Sequence, residues 1–408
     1  MPDVPLYDIV SRILPGDCVT LLLQAALWQS ADARGAWDRW RQSIGSLAEF
    51  LRLEQHGLKR LLPLLEHNLR LKRVPLDREA GPILRAAALR EEVRFRSFSS
   101  HGHAGLEGLA AAGIEPIVLK GAAAAALHYP SPVIRHCHNI DILVDPEEMA
   151  RAATALSATG FPTAEPIGDT GSMRFIHRSG LPMECHRSSV LAPCYPVDLD
   201  ALRAQSRSAV ILGSNCRVLG AGDMLAQLCG QAIQNPRGRS MVWLADAYLL
   251  IRREEGLWVS FLQAATAMRV ELPAVAVLTY LRDRLNAPVP ESILSELCRE
   301  AETTSAERRQ FALESVHSGE AQRARNLWRS SSWRSRVAIL RWLFLPRGVV
   351  LTKQLLRCGA LKSHRLKLGV RTIVEGWKTH VVASIARLSR LSRRLRGTLR
   401  TRILAWRG

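Results

Sequence analysis

The sequence predicts an α+β fold in which a segment of strands and helices lies between two helical regions, and three observations predict it. Apolar residues recur at three and four through roughly the first hundred positions, the period of amphipathic helices. From residue 114 to about 220, short runs containing Ile and Val are interrupted by glycine turns and an alanine-rich stretch, the texture of strands mixed with helices. After Gly220 the helical period returns and continues into the C-terminal residues. With 408 residues, 47% of them apolar, the chain can fill real cores without staples.

In the first region Leu47, Leu51, Leu58, Leu61 and Leu65 mark helical faces, and Pro63 should kink or restart a helix. Residues 74–113 continue in the same style, as in ILRAAALREEVRF. The texture changes at Gly113. Residues 114–119 (IEPIVL) suit a strand, Lys120-Gly121 a tight turn, and the alanines of 122–127 a helix. Residues 140–144 suit a second strand. Asp145 is placed to cap a helix with Pro146 at its first position and Glu147 and Glu148 complementing the dipole; that helix should run to about Thr159 and stop at Gly160. Residues 173–177 and 181–186 form a predicted hairpin about Arg178-Ser179-Gly180, with Val210-Ile211-Leu212 as a further strand. The resulting order over 114–220 is β-α-β-α-β-β-β. The expected domains are a helical N-terminal region (1–112), the α/β core (113–220), a helical domain (221–330) and a basic amphipathic helical tail (331–408).

The formal charge of +19 is unevenly spread: from residue 351 onward fifteen basic residues face the single acid Glu375. Without that tail the chain is only mildly basic, as is ordinary for a cytoplasmic enzyme handling an anionic small molecule. Within the tail, Trp377, Val381, Ile385, Leu388, Leu391, Leu395 and Leu399 follow a helical period opposite arginines. Such a helix suits an anionic membrane surface or an acidic partner, or closure onto the protein's own helices with the arginines in water. No DNA- or RNA-binding motif is present, so specific nucleic-acid binding is not expected. The eight cysteines form no CxxC pair, which fits a reducing compartment. The N-terminus lacks signal-peptide order, and no apolar run reaches the roughly twenty residues of a membrane span. The expectation is a soluble, cytoplasmic protein, with the tail allowing peripheral attachment at the inner membrane face.

Three features of the α/β segment could carry chemistry: the turn Lys120-Gly121, the run from Arg135 through Asn139 to Asp141, and Glu184 on the hairpin. Residues 139 and 141 point to one side of a strand, where an acid from a neighbouring strand can meet them. Such a cluster suits Mg²⁺, which takes one or two carboxylates plus water and substrate phosphates. A glycine turn at a helix N-terminus lets the backbone approach phosphate, and Lys120 could add a point charge. Two roles are open to Arg135: pairing with Asp141, or reaching the substrate. A Cys185–His186 nucleophile is disfavoured because adjacent strand residues face opposite ways. His136 and His138 share a face but lack a third metal ligand.

The stretch IVLKGAAAAALHYPSPVIRHCHNIDILVDPEEMARAATALSATGF, followed by PMECHRSS, resembles a bacterial family of nucleotidyltransferases of the polymerase-β-like superfamily. In that family a strand ends in Leu-Lys-Gly, an Arg precedes an Asp-x-Asp-x-Leu-Val strand, and Glu-Leu-His follows on a later strand. The likeness extends more loosely to His56-Gly57 and to Trp243-Leu244-Ala245-Asp246. It implies a polymerase-β-like core, a mixed sheet with helices, flanked by the two helical regions. It further implies Mg²⁺ or Mn²⁺, an NTP substrate and an acceptor, which is a small molecule, peptide or protein. Asp141 and Glu184 match the second and third metal-binding acids, and Lys120, Gly121 and Arg135 the nucleotide-binding positions. Asn139 stands where the first acid should be. It offers a carbonyl oxygen but no charge to offset two metal ions, so the resemblance leaves open one-metal binding, slow chemistry and a catalytically inactive nucleotide-binding or regulatory protein. A peripheral membrane scaffold dominated by the tail is a third alternative.

Overall fold

The computed structural model of the protein describes residues 14–30, 32–54, 57–167, 172–187, 198–234 and 241–302. The tail and His56 lie outside them. The chain opens with helices α1 (Asp17–Leu27), α2 (Asp32–Ile44) and α3 (Leu47–Leu53), then a single 3₁₀ turn at Leu58–Leu61 and α4 (Leu62–Leu71). Pro63 occupies the first turn of α4, where its missing N–H leaves no bond unmade; it restarts the helix. Trp40 is fully buried and meets the edge of Phe50, with ring centroids 5.6 Å apart.

The long helix α5 (Ala80–Ala111) follows, and its last third explains how the sheet is covered. Gly102, Gly105 and Gly108 line one side of it. A Cβ on Gly102 would come within 2.6 Å of Ile140 Cδ1, and one on Gly105 within 2.9 Å of Met183 Cε. The helix therefore lies flush on the sheet with bare backbone.

The sheet has seven strands: β1 (Ile117–Leu119), β2 (Ile140–Leu143), β3 (Thr163–Ile167), β4 (Ser172–Ile176), β5 (Pro182–His186), β6 (Arg207–Ile211) and β7 (Ser214–Val218). Their order is β3-β4-β5-β2-β1-β7-β6. It is mixed: β2 runs parallel to β5 and β1 parallel to β7, whereas β1–β2, β3–β4, β4–β5 and β6–β7 are antiparallel. The intervening helices are α6 (Lys120–His128), α7 (Met149–Ala158) and α8 (Leu199–Gln205).

Several expectations need correction. The helix expected from Pro146 begins at Met149, because residues 146–148 form a turn closed by Glu148 N–H donating to the Asp145 carbonyl. The Asp145 carboxylate pairs instead with Arg203 at 2.8 Å. Five strands were expected and seven are present. β3 is a short strand containing Glu165 and Pro166, and β7 (SNCRV) holds polar residues where its face is open, so neither carries a continuous apolar run.

Five helices complete the described residues: α9 (Ala221–Gln234), α10 (Val242–Arg253), α11 (Leu257–Met268), α12 (Glu271–Leu285) and α13 (Glu291–Glu302). α10 packs on α6, and α12 returns to α1, where the Thr20 and Tyr280 hydroxyls bond at 2.7 Å and Trp28 Nε1 donates to the Leu285 carbonyl. One hydrophobic cluster runs from Leu14 to Leu297. The fold is α+β, a mixed sheet flanked by helices on the N- and C-terminal sides, as the sequence predicts. Among the described residues no helix is long and apolar enough to cross a membrane.

Candidate active site

The register of four strands builds the site. Leu119 on β1 lies opposite Asp141 on β2, Asp141 is in parallel register with Glu184 on β5, and Glu184 is paired with Arg174 on β4. Ile140 and Met183, one residue earlier on β2 and β5, face α5. By the two-residue period, Asp141 and Glu184 point to the other face, and His186 joins them there. Cys185 points back into the core, fully buried, and burial pushes its thiol up. A reactive thiol has no place in this site.

Asp141 is 4% exposed, which by itself would favour the neutral acid. The Lys120 ammonium and the His186 Nε2–H, each 2.8 Å from Asp141 Oδ1, outweigh that burial and hold the carboxyl well below its usual range. Lys120 reaches it because of its backbone. Its φ of +52° places a non-glycine residue in the left-handed region at the first position of α6, directly after β1, a conformation that costs on the order of 1–2 kcal/mol and is often found at working sites. Glu184 is half-buried and accepts from Arg174 Nε at 3.0 Å and a terminal nitrogen at 2.8 Å.

One ligand atom each from Asp141, Glu184 and His186 lies within 4.8 Å of the others. Two carboxylates and an imidazole suit a divalent ion such as Mg²⁺ or Mn²⁺, the nitrogen favouring the latter, so the residues present fit the metal the resemblance implies. Asn139 is half-exposed, immediately before β2, and is not one of the three. The residue missing from the sequence-derived set is His186. Its signal was available: it stands two positions after Glu184, hence on the same strand face.

The structure resolves the alternative at Arg135. Its Nε and one terminal nitrogen fork onto Asp246 of α10 at 3.0 and 2.6 Å, and the other terminal nitrogen donates to the His136 carbonyl. Tyr129 adds a hydrogen bond to the same carboxylate at 2.7 Å. Asp246 is 1% exposed. Arg135 therefore pairs with Asp246 rather than Asp141, 111 residues distant in sequence. Burial would weaken its proton, and the Asp246 charge more than restores it. Gly121 is explained by the same group: a Cβ there would stand 2.9 Å from an Arg135 guanidinium nitrogen. Its missing side chain thus brings a buried cation against the first turn of α6. The neighbouring histidines have separate partners, His136 with Glu91 at 2.7 Å and His138 near Arg60. They do not form a metal pair.

A mixed sheet flanked by helices, with two acids in register on one face, is consistent with a protein of the nucleotidyltransferase class, and the family match shows that class. The chain belongs to the family described as uncharacterised nucleotidyltransferase, which matches residues 49–286, more than half its length. No curated protein matches it. Two solved structures share 12% identity with it. The antibiotic-resistance factor ANT(2'')-Ia has a TM-score of 0.29, over 51% of this chain and 99% of that one. An antigenic nucleotidyltransferase-like protein from Paracoccidioides brasiliensis has a TM-score of 0.28, over 48% and 95%. At these scores neither likeness carries weight.

Proposed function

We propose that the protein transfers a nucleotidyl group from an NTP to the hydroxyl of an acceptor, and that the reaction depends on a divalent ion held by Asp141, Glu184 and His186. The observation that carries this reading is the row of those three side chains beside the Lys120-Gly121 turn, in a chain of this family. The ion, Mg²⁺ or Mn²⁺, would offset phosphate charge as the α-phosphorus is attacked. The acceptor oxygen forms a bond to that phosphorus, the bond to pyrophosphate breaks, and the hydroxyl proton leaves to water. The backbone amides at the start of α6 face phosphate, with Lys120 as a mobile cation and Arg135 as a fixed one behind Gly121. Asparagine at 139 removes one negative charge from the site, which favours a single ion over two.

The test is thermal unfolding with each of the four NTPs, with and without Mg²⁺ or Mn²⁺, beside Asp141→Ala. Ligand at a hundred times its dissociation constant stabilises the fold by about 2.7 kcal/mol and raises the midpoint by several degrees. A metal-dependent rise absent in Asp141→Ala supports the reading; no rise with any NTP in folded protein ends it. Asn139 favours a second reading, a nucleotide-binding protein without transferase activity. Under that reading Asn139→Asp gains activity, whereas an enzyme adapted to asparagine gains none.

A further inference from the structure

Both carboxylates of the acidic row already carry a cation of the protein's own. Lys120 holds Asp141 and Arg174 holds Glu184, each at 2.8 Å. With asparagine at 139, the formal charges of the row cancel: two acids against two cations. A divalent ion arriving alone would meet an ammonium and a guanidinium at contact distance and no surplus of negative charge to draw it in. The two cations differ from Arg135 in one respect that matters. Their side chains remain open to solvent, 27% for Lys120 and 44% for Arg174, and both are long enough to swing. A triphosphate offers each of them more acceptor oxygens than one carboxylate does.

We propose that the resting site is self-neutralised, and that nucleotide opens it to metal: the triphosphate draws Lys120 from Asp141 and Arg174 from Glu184, freeing the carboxylates for the ion. Lys120 and Arg174 are then not only phosphate ligands but occupants of the metal's place until substrate arrives. The inference rests on the nucleotidyl-transfer reading and adds to it an order of events: metal affinity is low until nucleotide is bound. By linkage the coupling is reciprocal.

The signature is a pair of opposite changes in one variant. Binding of Mn²⁺ alone is followed by the electron paramagnetic resonance of the free ion. Binding of a non-hydrolysable analogue of the most stabilising NTP is followed calorimetrically in EDTA. Lys120→Gly, which suits the left-handed backbone, and Arg174→Met should each bind Mn²⁺ alone about tenfold more tightly than the wild type, and the metal-free analogue about tenfold more weakly. Asp141→Ala should abolish the gain in Mn²⁺ binding. Should Lys120→Gly fail to fold, Arg174→Met, changed at an exposed position, carries the test. Variants that lose nucleotide without gaining Mn²⁺ overturn the inference while leaving the nucleotide reading intact. Folded wild-type protein that binds neither ligand, separately or together, overturns both.

Discussion

Two buried aspartates, Asp246 and Asp141, each hold a cation delivered from the loop or turn after a strand or helix, and they do so in opposite ways. Asp246 is enclosed: a forked guanidinium and a phenol occupy its oxygens, and Arg135 has a side-chain exposure of only 12%. Asp141 is held by a primary amine and an imidazole on the same oxygen, with its amine partner partly in water. A fork closed over in the core fixes geometry; a single flexible amine at a rim can be exchanged. A third acid, Asp223 in the first turn of α9, sharpens the contrast. Among the described residues no cation pairs with it, and burial raises its carboxyl to about 6.

The largest expected effect comes from breaking the enclosed pair. Asp246→Ala leaves Arg135 charged and buried and should cost about 3–5 kcal/mol, read as a fall in the urea midpoint. Gly121→Ala pushes on the same guanidinium, which Asp246 prevents from yielding, and should cost about 1–3 kcal/mol. The two costs should not add in the double variant, because once Asp246 is gone the guanidinium can move aside; strict additivity would show that Gly121 matters for another reason.

Next comes Asp223. Because its folded value is raised, Asp223 lowers stability at neutral pH, and stability returns as pH falls through about 6 towards the unfolded value. Asp223→Asn should therefore stabilise the protein at pH 7 by on the order of 2 kcal/mol and make no difference near pH 4. Asp141 has the opposite sign: its depressed carboxyl contributes fully above the ordinary aspartate range and is lost only as pH falls below about 4, so Asp141→Asn should narrow its gap to the wild type only in acid. The smallest effect belongs to Arg174→Met, where the pair is open to water: about 0.5 kcal/mol or less in thermal melts, despite its expected effect on ligands.

What the sequence made legible follows the distance over which each feature is decided. The strand at 140–143 and the hairpin before His186 are set by local alternation and turn residues, and both are where the pattern put them; at Lys120-Gly121, where a separate turn was expected, β1 passes directly into α6 and the change of direction is made by the positive φ of Lys120. Asp145 misled because its chemistry suits both a helix cap and a tight turn, and the choice is made by Arg203 on another helix. Arg135 could not be assigned from its neighbours, since its partner lies on α10 and is met only when that helix docks on α6. His186 stands two positions after Glu184 on β5, so the strand period puts it on the same face, but which strand lies beside β5, and hence that His186 meets Asp141, is decided only by the sheet order.

The glycine seam of α5 has a consequence for the acids on the opposite face. With bare helix backbone against Ile140 and Met183, the strands that carry Asp141 and Glu184 have no soft layer beneath them to absorb a shift. The backbone positions that carry the two carboxylates are set by adjacent parallel strands, about 4.8 Å apart in any sheet. Any adjustment of the row therefore falls to side-chain torsions rather than to the strands.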